Sequence, residues 1–345
     1  MSNLRRAKRL LSIAAVVLFL GLVFVVFPKT KASQVEAEAL PQENDIRLFA
    51  SLETSLIRPS SELSYHVYLP VVFRDYGWRS FRVGYCATAG SIDDYPAIKE
   101  LSAGWYVQFR VQDSPARPLG MEYVQTIRLH QMTECWPERT RDRNMCPYTT
   151  PYTYTIFSPS GGKAGIASVV EANPGSLWLI GNEMDRRDWE GGGQDEMLPE
   201  VYAQAYHELY TLITGVDPTA KVAIGGIIQA TPARLDYLTK IWNRYSSRYG
   251  VPMPVDVWNV HNFIFQERCD AHGADVPPGY DGCSGTVYAD EDHNNMQIFK
   301  EQILAFRRWM KDRGQQNKPL VVSEYGIVYH HVDELNDPLA VSNFM

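Results

Sequence analysis

Leu177-Trp178-Leu179-Ile180-Gly181-Asn182-Glu183-Met184-Asp185 is the stretch on which the reading of this chain turns. Four apolar residues in a row, preceded by Pro174-Gly175 and followed by polar residues, have the pattern of a parallel strand buried on both faces. A second stretch repeats the design: Pro319-Leu320-Val321-Val322-Ser323-Glu324-Tyr325-Gly326. In each, a glutamate stands just past the carboxyl end of a buried strand, where an α/β barrel carries its reactive groups.

Working outward, five more strands are expected, at Phe81–Ala87, Trp105–Val111, Tyr123–His130, Lys221–Ile228 and Val255–Phe263. Helices are expected between them. Tyr202, Tyr206, Leu209 and Ile213 recur at i, i+4, i+7 and i+11, and this stripe stops at Gly215 with Pro218 beyond. Phe299, Ile303, Phe306 and Met310 make a second stripe closed by Gly314; Asp93–Leu101, Ala164–Ala172 and Leu235–Tyr249 complete the set. Alternating strands and helices predict an α/β fold with a parallel sheet, a (β/α)8 TIM-type barrel over residues 80–345. Only seven strands are found before Met345, so the barrel is expected to be incomplete at its C-terminus, the eighth strand missing. An open doubly wound sheet is the alternative, disfavoured because no Gly-x-Gly-x-x-Gly follows the first strand. Residues 28–79 read as a linker with an edge strand at Tyr65–Phe73, confined to an edge by Pro70.

Charge is unevenly spread. Residues 1–31 hold six of the 33 basic residues and none of the 40 acidic ones, leaving the rest of the chain at −13. So acidic a body argues against a nucleic-acid partner. The basic tail, residues 1–9, precedes an uncharged run from Leu10 to Phe27, which reads as either a signal peptide or a membrane anchor. Both place the body outside the cytoplasm, extracellular or at the cell surface, with membrane attachment if the run is kept. Export agrees with the cysteines. Cys135 and Cys146 flank one polar loop and Cys269 and Cys283 another, each pair close enough to staple its loop, while Cys86 lies in an apolar strand as a free thiol. None of these has Cys-x-x-Cys metal spacing, and His330-His331 near Asp333 resembles a metal cluster only superficially, so no metal or other cofactor is expected.

Two carboxyl groups facing each other across a barrel mouth suit cleavage of a glycosidic bond, in which one attacks the anomeric carbon and the other trades a proton with the leaving oxygen and then with water. Gly181-Asn182-Glu183 at the end of a fourth strand and Ser323-Glu324-Tyr325-Gly326 at the end of a seventh, 141 residues on, resemble the retaining glycoside hydrolases of clan A. The resemblance spans Phe81 to Ile327. It implies that Glu183 is the general acid/base and Glu324 the nucleophile, acting on a poly- or oligosaccharide. It further implies that His261 is a substrate-binding residue at the end of strand six, that His130 is similar to a histidine of several such families, and that Arg110 keeps the nucleophile ionised. From their own chemistry, Asn182 can donate to the sugar 2-hydroxyl and Tyr325 can orient the nucleophile.

Blander readings stand beside these. A glutamate after a strand also serves as a helix cap or ion-pair partner, and His130, His261 and Arg110 can be structural. Glu190, Gly191–Gly193, Asp195 and Glu196 read as a solvated loop, with Trp189 offered as a sugar platform above the site. A non-catalytic extracellular carbohydrate-binding protein on the same barrel is the alternative function; a metal hydrolase lacks a His-Glu-x-x-His set.

Overall fold

The computed structural model describes residues 21–26, 80–87, 90–95, 100, 103–189, 192–327 and 343–344. Strand β1 covers Gly21–Val26, β2 Ser80–Cys86, β3 Ala103–Val107, β4 Glu122–Gln131 and β5 Tyr154–Ser158. Then follow α1 (Gly162–Ala172), β6 (Leu177–Asn182), α2 (Pro199–Val216), β7 (Lys221–Gly226), α3 (Pro232–Tyr249), β8 (Trp258–Val260), α4 (Met296–Lys311) and β9 (Leu320–Val322). All seven expected strands are present. The helix expected at Asp93–Leu101 appears as a short 3-10 turn, Ile92–Asp94, with part of that span outside the described residues. The linker with its edge strand, the basic tail and the His330-His331 pair also lie outside them.

The architecture is mixed α/β. Five strands run parallel in the order β2-β3-β4-β6-β7 and curl into a half-barrel. Strands β8 and β9 form a further parallel pair, reached from the β7 side by the single bridges Ala223↔Val257 and Ile227↔Val260. A complete (β/α)8 barrel is not formed. No eighth parallel strand occurs among the described residues; instead β1 pairs antiparallel with both β2 and β9. That strand falls within the apolar run read as a signal or anchor. Among the described residues no helix is long and apolar enough to cross a membrane.

Strands β6 and β7 are buried because their neighbours leave no face wet. Trp178, Ile180, Val222 and Ile224 are completely buried, and the helix stripe Tyr202, Tyr206, Leu209 and Ile213 lies against them, likewise buried. Removing side chains of this size from water contributes about 1.5–3 kcal/mol each. Helix α4 packs through Phe306 and Trp309 onto Trp258 of β8, the two indole rings 4.9 Å apart and edge to face. Glu183 and Glu324 stand just past the carboxyl ends of two of these strands, β6 and β9.

Strand β5 had no counterpart in the sequence reading. It pairs antiparallel with the far end of β4, Leu129 opposite Ile156 and Gln131 opposite Tyr154. Cys135–Cys146 and Cys269–Cys283 are disulfides with Cα atoms 5.6 and 5.0 Å apart, and Cys86 is a buried free thiol. Both bridges fit an oxidising compartment.

Candidate active site

Strand β6 ends in a bend that only part of the sequence announces. Gly181 takes φ +88° and Glu183 φ +50°, so the chain turns sharply as it leaves the sheet. A non-glycine residue in the left-handed region costs on the order of 1 kcal/mol or more and persists where its surroundings enforce it. Here they do. The Glu183 amide donates to the Gly226 carbonyl (2.9 Å), and the Asn182 amide donates to Asp195 Oδ2 (2.9 Å). Asp195 is in turn held by the Arg128 guanidinium, Nε at 3.0 Å and Nη2 at 2.7 Å from Oδ1. The Asn182 side-chain amide donates to the Gly193 carbonyl at 3.1 Å.

His261, which follows β8, is fully buried, and its Nδ1 lies between the two glutamates. It stands 3.2 Å from Glu183 Oε1 and 3.5 Å from Glu324 Oε2. Those two oxygens are therefore no farther apart than the sum of these distances. The close approach depends on Gly226 in β7, where any Cβ would collide with the imidazole ring. Arg186, one turn beyond Glu183, adds Nη1 at 3.1 Å from Glu183 Oε2.

These neighbours split the two carboxyls. Burial alone would raise Glu183, but the Arg186 charge and the His261 hydrogen bond outweigh it and hold it at about 2, below its ordinary 4.5. Glu324 moves the other way. Burial raises it, and the negative charge of Glu183 adds to that, against the lowering by His261, Arg186 and Arg128. His261 is raised above 6.5: burial opposes its charge, yet the charge of Glu324 and the hydrogen bond to Glu183 prevail. Arg186 and His261 thus favour the carboxylate of Glu183, and the charge of Glu183 in turn disfavours that of Glu324.

The remaining residues singled out in the sequence divide into two groups. Tyr325 is buried beside the pair, with its ring edge-to-face on Phe299 at 5.3 Å, and burial raises its phenol. His130 lies in a separate buried network, with Nε2 2.8 Å from Asp188 Oδ2 and its ring stacked on Trp136 at 4.7 Å. Trp189 carries the Arg141 guanidinium over its ring at 4.3 Å and the His272 imidazole at its edge. Arg110 is exposed and hydrogen-bonds Gln108 Oε1 (3.1 Å) and the Gly90 carbonyl (3.5 Å), away from both glutamates. It borders a polar cavity of about 350 Å³ with Gly90, Ser91, Tyr106, Gln108 and Gln112, which neither glutamate lines.

No family model matches this chain, and no curated protein does. Among solved structures it is similar to a GH128 (subgroup II) endo-beta-1,3-glucanase from Sorangium cellulosum, at 13% identity over 53% of this chain, with a TM-score of 0.32. The match spans 63% of that chain's length.

The loop read as solvated is so only in part: Gly193 is exposed, but its two described acids are not. Asp195 and Glu196 are completely buried: Asp195 on Arg128, Glu196 on Arg143 (2.9 Å from Nε to Oε1) and on the Asp188 amide (2.6 Å). Glu190 and Gly191 lie outside the described residues. The sequence reading also passed over Arg128 and Arg186. A signal existed for both: Arg128 stands between the apolar Ile127 and Leu129 of an expected strand, and an arginine turned inward there must find an acid, and Arg186 sits at i+3 from Glu183. Among the described residues no cluster of three or more His, Cys, Asp or Glu side chains is arranged to hold a metal ion.

Proposed function

We propose that this protein is an extracellular glycoside hydrolase that acts on a carbohydrate with retention of configuration, Glu324 as nucleophile and Glu183 as general acid/base. The observation that carries this reading is the single buried imidazole nitrogen in reach of two glutamates at two strand ends. It supports a carboxyl separation on the short, retaining side of the range, about 5–5.5 Å, over the wider inverting one. In the reaction Glu324, ionised, attacks the anomeric carbon as Glu183 gives its proton to the departing oxygen. Glu183 then takes a proton from water, which attacks the anomeric carbon and releases Glu324. Between the steps the positive charge of His261 offsets whichever carboxylate is left bare.

This cycle begins with the proton on Glu183, whereas Arg186 and His261 favour its carboxylate in the free site. Occupation by substrate must therefore shift that balance toward the acid. His261 Nδ1 reaches both carboxyl groups, at 3.2 and 3.5 Å, and is the group placed to carry a proton between them.

Azide rescue with dinitrophenyl glycosides tests the assignment. Glu324→Ala removes the covalent step, a loss on the order of 10⁶-fold as for other nucleophile deletions, and azide restores turnover with inverted anomeric configuration. Glu183→Ala loses about 10²–10⁴-fold, mainly on poor leaving groups, and azide gives the substrate's own anomer. Exchanged anomers reverse the two roles. Wild-type protein that binds glycans but cleaves no aryl glycoside or polysaccharide establishes the carbohydrate-binding alternative instead.

A further inference from the structure

Arg186 makes two contacts that join the site to a distant loop. Its Nη1 meets Glu183 Oε2, and its Nη2 donates to the Gly273 carbonyl at 3.0 Å. Gly273 belongs to the loop closed by Cys269–Cys283. Its φ of +147° is one that residues with a Cβ rarely adopt, and a Cβ there would collide with the Gln266 carbonyl. The same loop is clamped from the other side. Arg141, inside the Cys135–Cys146 loop, bonds Asp275 Oδ2 (2.7 Å) and the carbonyls of Arg268 (3.1 Å) and Ala271 (3.4 Å). The position of the second loop therefore fixes where the Arg186 fork can stand.

We infer that Arg186 is a positioning residue that makes the protonation of the glutamate pair depend on the placement of the Cys269–Cys283 loop. With the loop as observed, the guanidinium stays on Glu183 and favours its carboxylate. A loop displaced by an incoming ligand draws Arg186 away from Glu183, whose carboxylate, having lost that charge partner, is then more readily protonated. The charged groups around this exchange are Glu324 beyond β9, His261 beyond β8, Arg128 from β4 and Asp185 two residues along; on the loop side His272 lies against Trp189. The consequence for hydrolysis rests on Glu183 being the acid/base, but the coupling itself does not, so the two can fail separately.

The test is a ¹³C-carboxylate titration of the full chain labelled at glutamate, the Glu183 signal being the one lost in Glu183→Gln. In Arg186→Gln the Glu183 midpoint rises by about 1–3 pH units, the usual effect of an opposite charge at this range. In Gly273→Ala, which leaves every charge in place, it rises in the same direction. An unchanged midpoint in Arg186→Gln overturns the inference, and an unchanged midpoint in Gly273→Ala overturns the loop's part in it. If Arg186→Gln does not fold, Arg186→Lys decides: the charge survives but cannot fork to both acceptors, so an intermediate midpoint supports the coupling and a wild-type one overturns it. Absence of any glycosidase activity would leave these titrations unaffected.

Discussion

Six carboxylates of this protein fall into two kinds, a scaffold kind fully matched by donors and a kind matched only in part. Asp185 and Glu267 share the fully buried Arg234, 2.8 Å from each, and both also accept backbone amides, Ile228 on Asp185 and Thr286 on Glu267. Asp195 is gripped by two nitrogens of Arg128, and Glu196 by two of Arg143. Glu183 and Glu324 have no such grip. They share one imidazole nitrogen, and Glu183 adds a single arginine contact at 3.1 Å. Glu324 is the more open, its side chain 21% exposed against 7% for Glu183. A buried charge fully matched by donors is inert; one left partly matched has room to exchange a proton or meet a ligand.

Breaking the scaffold kind should cost most. Arg234→Met leaves Asp185 and Glu267 buried and unpaired, and the expected loss is about 3–5 kcal/mol in urea unfolding. A loss below about 1 kcal/mol would mean that the two classes are not distinct. A smaller effect comes from pH. Glu183 is depressed in the folded state, so its contribution is present above the unfolded value of 4.5 and is lost as pH falls toward about 2. That contribution is at most about 3 kcal/mol, read as the difference in unfolding free energy between wild type and Glu183→Gln at pH 7 and at pH 3. If the difference is the same at both, the arginine and histidine do not hold Glu183 ionised. The smallest effect is expected at Glu324, whose carboxyl is raised and therefore costs stability above pH 4.5. Glu324→Gln should stabilise by about 1 kcal/mol at neutral pH, within the usual range for a single stabilising substitution. Destabilisation of that size would place Glu324 with the scaffold instead.

Much of this was legible in the sequence, for identifiable reasons. The strands at Leu177–Asn182 and Leu320–Val322 carry their burial in unbroken apolar runs, and the period of the α2 stripe leaves little choice of face. Pairing partners are another matter. Asp195 was hidden because Gly191–Gly193 beside it suggests solvent, and nothing local says that Arg128, 67 residues earlier, will be there to neutralise it. Strand β5 escaped because five residues flanked by Pro151 and Pro159 are too short to show a period, and their order comes from β4. The Arg141 clamp between the two disulfide loops was invisible for the same reason, spanning 134 positions.

Gly226 carries a consequence for how such a protein can change over generations. The space a Cβ would need there is already filled by the imidazole of His261, 35 positions away in the chain. A lineage that acquires alanine at 226 first loses its histidine placement, and one that trades His261 for a small residue first opens a void beside two glutamates. Either single step is a loss, so the two positions are inherited as one character, and a descendant that differs at one should differ at the other.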